Sequence, residues 1–190
     1  MWLQAAYELL LAGGIDAVKV MPLAKKMKTS RTSFYWLFKD REEVLAALMQ
    51  RWQQQNTSAI VSRSQAYAAN IAEAMLNVFD CWLDATLFDS EFEHAIRSWG
   101  QQDEAVADII RTADSERLQA IADMFMRFGY DASEADTRAR TVYLIQIGYI
   151  SMRVEESSDT RLQRIPQYVE IFTGQPCSPA DMERFAARHK

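Results

Sequence analysis

A chain of 190 residues, 49% apolar and 25% charged with a net charge of −5, has the balance of a globular protein with one domain or two small ones. It is not the composition of a disordered chain. Two cysteines (Cys81, Cys177) and two histidines are too few for a disulfide framework, a four-ligand zinc site or a Ser/His/Asp set, and no glycine-rich loop appears, so neither an enzyme nor a cofactor is expected.

No stretch approaches the roughly 18 continuous apolar residues of a membrane span. Met1–Leu11 lacks the basic n-region of a signal peptide. The expected location is the cytoplasm, with no membrane partner.

Glycine (6) and proline (4) are scarce, and apolar residues recur at helical spacing almost throughout, which predicts an all-α protein. Leu3, Ala6 and Leu10 mark a first helix that should end at Gly13–Gly14, because glycine reaches the left-handed conformation without penalty. A short second helix runs from about Met21 to Met27, with Pro22 in its first turn, where a missing N–H costs nothing. Lys28 and Thr29 make a turn. Ser30 then caps a third helix expected to run through about Leu37. Asp40 caps a fourth, and Glu43 stands at the capping-box spacing. That helix continues through Leu45, Leu48, Met49 and Trp52 into the polar stretch 53–64, and a domain boundary is expected near residues 55–64, inside or just after this helix.

Further along, Ile71, Met75, Val78, Phe79 and Trp82 form one helical stripe, and Phe92, Ile96 and Trp99 a shorter one. A long stripe runs from Val106 to Phe128. From about Ser133 to Arg153 the apolar residues lie on more than one side, so that helix must be buried on two faces. Helices over about 159–172 and 179–188 complete the chain.

Residues 1–41 carry seven basic and three acidic side chains, leaving −9 on the remainder, and five of the six lysines lie between Lys19 and Lys39. A basic segment on an acidic body is either a solvated face or the electrostatic footprint of nucleic-acid contact. Two short helices joined by a tight turn, the second capped by serine and flanked by basic residues, fit a helix-turn-helix. Leu23, Ala24 and Met27 should pack on Phe34 and Leu37, with Phe38 also inward. The outward residues Thr29, Arg31, Thr32, Ser33 and Trp36 would then meet the major groove. Arginine reads guanine through a bidentate fork, and threonine methyls touch thymine. Lys25, Lys26, Lys28, Tyr35, Lys39 and Arg41 are candidate phosphate anchors.

The segments Gly14–Ala24 and Ser30–Leu45, above all Phe34-Tyr35-x-x-Phe38-x-Asp40-Arg41-Glu42-x-x-Leu45, resemble the DNA-binding domain of the TetR/AcrR family of transcriptional regulators. The resemblance spans about residues 3–50. It implies an N-terminal three-helix helix-turn-helix domain (1–50) and a C-terminal helical domain for effector binding and dimerisation (51–190). The implied function is a ligand-responsive regulator, a repressor that grips a palindromic double-stranded operator as a homodimer and is released by a small molecule. The residues at the DNA would be Lys28, Thr29, Ser30, Arg31, Thr32, Ser33, Tyr35, Trp36, Lys39 and Arg41. The helices at 133–153 and 159–172 would build a four-helix bundle with a second copy through Tyr143, Ile147, Ile150, Ile165, Tyr168, Val169 and Phe172.

Phe92-x-x-Ala95-Ile-Arg97-x-Trp99 and Asp114-x-x-Arg117 also resemble some members, more loosely. The chain departs from the pattern in three places. It starts inside the first helix without a basic arm, Lys28 stands where the turn usually has glycine, and Lys19 stands where the second helix is often capped by Ser or Thr. A helical interaction adaptor that does not bind DNA is the alternative reading.

The candidates to line an effector pocket are Phe79, Trp82, Phe88, Trp99, Phe125, Tyr143, Gln146 and Tyr149, each of which could equally be plain core. Glu91-x-x-His94 is half of a di-metal motif whose second copy is missing. Cys81, between Asp80 and Asp84, reads as a small core residue and not as a redox sensor.

Overall fold

A computed structural model describes residues 1–189, and the secondary structure among them is entirely helical. Helix α1 (Trp2–Gly13) ends where Gly14 turns to a φ of 67° and donates its N–H to the Leu10 carbonyl. A 3₁₀ turn (Ile15–Ala17) leads to α2 (Val20–Lys26), α3 (Arg31–Phe34) and α4 (Arg41–Trp52). The chain passes through a π turn (Gln53–Thr57) into α5 (Ser58–Gln65) and α6 (Ile71–Leu83). It continues through α7 (Ser90–Gly100), α8 (Glu104–Arg127), α9 (Ala132–Ser151), α10 (Ser158–Thr173) and α11 (Pro179–Ala187).

The caps explain most of the boundaries. Asn70, Asp131, Ser157 and Ser178 each accept the backbone N–H three residues on, satisfying a donor that the first turn of a helix leaves without a partner. Asp40 does the same for α4, accepting from Glu43 N at 3.0 Å. The reciprocal bond is offset by one residue, because Glu43 Oε2 accepts from Lys39 N (2.5 Å) and not from the capping residue itself. As expected, Lys19 stands at the start of α2 and provides no side-chain cap.

The chain divides into two compact units. The first comprises Met1–Gln54 and Glu91–Arg111, and the second Gln55–Ser90 with the residues from Thr112 onward. Residues 91–111, which a linear reading groups with the C-terminal part, thus fold with the N-terminal segment.

In the first unit, Trp2, Leu10, Leu23, Phe34, Val44, Leu48 and Trp52 are buried together with Phe92, Ile96 and Trp99 of α7. Phe92 meets the Tyr7 ring edge-on at 5.1 Å. Glu93 is fully buried. Its carboxylate accepts from Trp52 Nε1 (2.7 Å) and is paired with Arg97 (2.8 Å), so the charge is both hydrogen-bonded and neutralised.

The second unit has its own core of Ile60, Met75, Val78, Cys81, Ile121, Phe125, Val142, Ile165, Val169, Phe172 and Phe185. Buried Asp80 of α6 binds Arg63, Arg188 and His189 at 3.3, 3.2 and 2.8 Å, tying both α5 and the C-terminal segment to α6. At the centre Arg117 is fully buried. It donates to Thr57 Oγ1 (3.0 Å) and Tyr143 Oη (2.9 Å), and the Tyr143 hydroxyl donates in turn to Asp114 (2.6 Å).

Removing one partner of a buried ion pair costs about 3 kcal/mol or more. Glu93→Ala should therefore lower the urea midpoint by the equivalent of about 3 kcal/mol with little change in slope. A midpoint within error of the wild type would mean that Trp52 and Arg97 find other partners and that the cluster contributes no stability.

Candidate nucleic-acid interface and cavity

The turn between α2 and α3 is a Schellman motif. Thr29 N–H reaches the Ala24 carbonyl (3.0 Å) and Lys28 N–H the Lys25 carbonyl (3.1 Å), which satisfies two carbonyls at the end of α2. The geometry puts Lys28 at the position that favours glycine, and it has a φ of 52°. Ser30 follows at once as the cap of α3, accepting from Ser33 N at 3.4 Å. The hydroxyls of Thr29 and Ser30 lie 3.1 and 3.2 Å from Ser33 Oγ.

Helix α3 ends at Phe34, three residues earlier than periodicity suggests, and the chain turns through Tyr35–Leu37. Phe34 is fully buried, meeting the Trp2 ring edge-on at 5.5 Å, with the half-buried Phe38 at 5.6 Å. The early turn rotates Leu37 outward to 65% exposure, so it does not pack on α2 as the sequence suggested.

Around this buried ring lies a polar, basic surface. Lys28, Thr29, Ser30, Arg31, Thr32, Tyr35, Trp36 and Lys39 are all exposed, and Ser33 is half-buried. Trp36 is 81% exposed and Tyr35 51%. Among the described residues, no carboxylate pairs with Lys25, Lys28, Arg31 or Lys39, whereas Lys26 is held by Glu8 at 2.7 Å.

Arg41 is half-buried, unlike these exposed side chains. Its guanidinium donates to the Val18 (2.6 Å) and Ile15 (2.9 Å) carbonyls, stitching the 3₁₀ turn to the start of α4. Two of its donor directions are thereby taken within the chain, and its part is to hold the frame behind the exposed residues.

The second unit contains a cavity of about 40 Å³ between α6, α9 and α10. It is lined by four of the expected residues, Phe79, Trp82, Gln146 and Tyr149, together with Leu83, Val142, Ile145, Glu156, Arg161, Arg164, Ile165, Tyr168 and Phe172. The other four lie elsewhere. Phe88 faces Arg117 at 5.7 Å, Tyr143 is bound to Arg117 and Asp114, Phe125 packs edge-on against Tyr130, and Trp99 is buried in the first unit. Nothing in a single sequence separates a wall residue from a core residue of the same type.

The expected dimer face is also corrected. Tyr143, Ile150, Ile165, Val169 and Phe172 are buried within the protomer, and Ile147 and Tyr168 are half-buried against the same core. The large apolar residues that α9 and α10 leave outside are Leu144 (58% exposed), Ile145 (38%) and Ile171 (68%), and a Cβ at Gly148 would point into open space. The two-sided pattern of α9 was legible, but the residues expected at a second copy lie against the protomer's own core.

Cys81 is buried and its thiol is pushed up to about 12, chiefly by desolvation, so it is a core residue as expected. No cluster of three His, Cys, Asp or Glu suited to a metal occurs among the described residues, and no helix among them is long and apolar enough to cross a membrane.

Lys28 carries a backbone conformation that costs an L-residue about 1–2 kcal/mol, part of which glycine gives back through its freer unfolded state. Lys28→Gly should therefore raise stability by up to about 1 kcal/mol in urea unfolding. A loss of stability would mean that the lysine stem makes contacts outweighing the strain.

Residues 3–48 match the family model of the bacterial regulatory proteins, tetR family. Curated protein sequences gave no match. Among solved structures, a protein of Mesorhizobium loti MAFF303099 assigned to the TetR family of transcriptional regulators aligns with a TM-score of 0.60 at 16% identity, over 98% of this chain and 94% of that one. The TetR family repressor AlkX of Dietzia sp. strain DQ12-45-1b, implicated in biodegradation of n-alkanes, aligns with a TM-score of 0.45 at 17% identity over the same shares. The buried Phe34, the Schellman turn and the cap of α4 all lie within the matched segment, so residues 3–48 are similar to the bacterial regulatory proteins of the tetR family, and the chain as a whole shares its fold with the Mesorhizobium loti protein.

Proposed function

We propose that this chain is a ligand-responsive repressor that binds a palindromic operator as a homodimer. The observation that carries the reading is the face around α3, where Lys25, Lys28, Arg31 and Lys39 stand exposed without acidic partners beside Thr32, Tyr35 and Trp36. Unpaired cations at fixed spacing suit phosphates, and a fork beside a short threonine suits base edges. Arg31 and Thr32 are assigned to base edges. Lys28, Lys39 and the Tyr35 hydroxyl are assigned to phosphates, with the hydroxyls of Thr29, Ser30 and Ser33 at the entry to the groove.

One such domain covers one half-site, so a two-fold pair is needed to read a palindrome. The second copy is assigned to the outer face of α9 and α10, over Leu144, Gly148 and Ile171. The neighbouring groove of about 440 Å³, lined by Thr137, Thr141 and Ile171, has room for a partner side chain. A small effector in the second unit would oppose DNA by binding better to a state that holds the operator less well, and the two affinities must then change reciprocally.

Fluorescence anisotropy with the DNA upstream of the gene should show binding that prefers this sequence over a scrambled one and weakens steeply with salt. Arg31→Ala should cost about tenfold or more and relax the sequence preference, whereas Lys39→Ala should weaken all sequences alike and reduce the salt slope by about one. Weak binding that is equal for both DNAs would argue instead for the interaction adaptor. Ile171→Asp should shift the protein from dimer to monomer in sedimentation, and a variant that stays dimeric would displace the interface from α10.

A further inference from the structure

The cavity between α6, α9 and α10 combines three features that no packing role explains. Its lining is mostly apolar, with Phe79, Val142 and Phe172 at its wall. It contains Trp82, whose indole N–H is buried and has no acceptor among the described residues. It also contains Arg161, which makes no ion pair or side-chain hydrogen bond among them. Burial draws the Arg161 guanidinium down from the usual arginine range, so its charge has lost part of its water without gaining a partner. The carboxylate that acts on it, Glu156, is already bound by Arg164. The rim thus holds two guanidinium groups against one carboxylate, a surplus of one positive charge beside an apolar wall.

We infer that this cavity is the site of an amphipathic organic monoanion, its apolar body lying among Phe79, Val142 and Phe172 and its carboxylate meeting the Arg161 guanidinium and the Trp82 indole N–H. A carboxylate supplies acceptors to both donors and cancels the surplus charge. A neutral molecule would leave the cation uncompensated, and a dianion would bring one charge too many. The apolar wall requires a body that prefers to leave water.

As it stands, the cavity of about 40 Å³ holds no more than a few water molecules. Entry therefore requires part of the wall to move. The first half of α10, which carries Arg161, Arg164 and Ile165, lies between two weak points. On one side the segment after α9 begins with Arg153 at a φ of 51°. On the other, Pro166 within the helix has no N–H for the preceding turn. This site deepens the effector reading, and only its consequence for DNA rests on that reading.

The test is titration of the full-length protein with octanoate, with octanol and octylammonium as uncharged and cationic counterparts, read from the tryptophan indole N–H signals. Comparison with Trp82→Phe assigns the Trp82 signal. Octanoate is expected to shift that signal and leave that of exposed Trp36 in place. Arg161→Gln should weaken octanoate about tenfold or more, leave octanol unchanged and retain the wild-type circular dichroism, and Arg161→Lys should lose less. Equal affinities for octanoate and octanol, an Arg161→Gln protein that binds octanoate like the wild type, or no shift at millimolar octanoate would each overturn the proposal. Operator anisotropy with octanoate separates the two readings. Release of DNA supports both, and an unchanged affinity for DNA despite a shifted Trp82 signal upholds the anion site and overturns its role as effector site.

Discussion

A helix of four residues cannot sustain itself in water, because nucleation fixes more backbone angles than one turn of hydrogen bonds repays. Helix α3 is that short, and what holds it is the burial of Phe34 among Trp2, Tyr35 and Phe38. Everything exposed around it inherits its position from that one ring. The Schellman turn sets the direction from which the chain arrives, Ser30 sets where the helix begins, and Arg41 ties the 3₁₀ turn to α4 behind it. The exposed residues around α3 are therefore placed by groups that are themselves buried, and a chain with the same surface but without Phe34 would lose the geometry of the whole face.

The second unit follows a different logic. It buries Arg117 in a polar cluster with Tyr143, Asp114 and Thr57, joined by hydrogen bonds. A buried guanidinium without such partners would be prohibitively costly, and with them it acts as a fixed strut. The cavity lies instead at the seam of α6, α9 and α10, with Pro166 inside α10 and Arg153 following α9 at a φ of 51°.

The helices and most of their ends were legible in the sequence, because Gly13–Gly14, Ser30 and Asp40 act locally and each fixes a boundary through its own backbone or side chain. Lys28 was likewise readable, since an αL position at C′ is demanded by the turn whichever residue fills it. What was not legible depends on rotation about a helix axis. Shortening α3 by one turn moved Leu37 from inside to outside. Helix α9 shows apolar residues on two sides, and periodicity cannot say which side meets its own core. The partners of Arg41 were not legible either, because they are backbone carbonyls of residues 15 and 18, which have no signature in side-chain identity. Arg161 and Arg164 drew no attention in the sequence, and only the fold brings them to the same cavity as Trp82.

The distribution of the five tryptophans has an optical consequence. Trp2, Trp52, Trp82 and Trp99 are buried, and Trp36 alone stands in water, on a positively charged surface. Iodide is drawn to such a surface, so it should quench one emitter in preference to the other four, and the quenchable fraction of the intrinsic emission belongs to the exposed face beside α3 alone. The chain carries its own label at that point, and shielding from iodide can follow the occupancy of the face without any added dye.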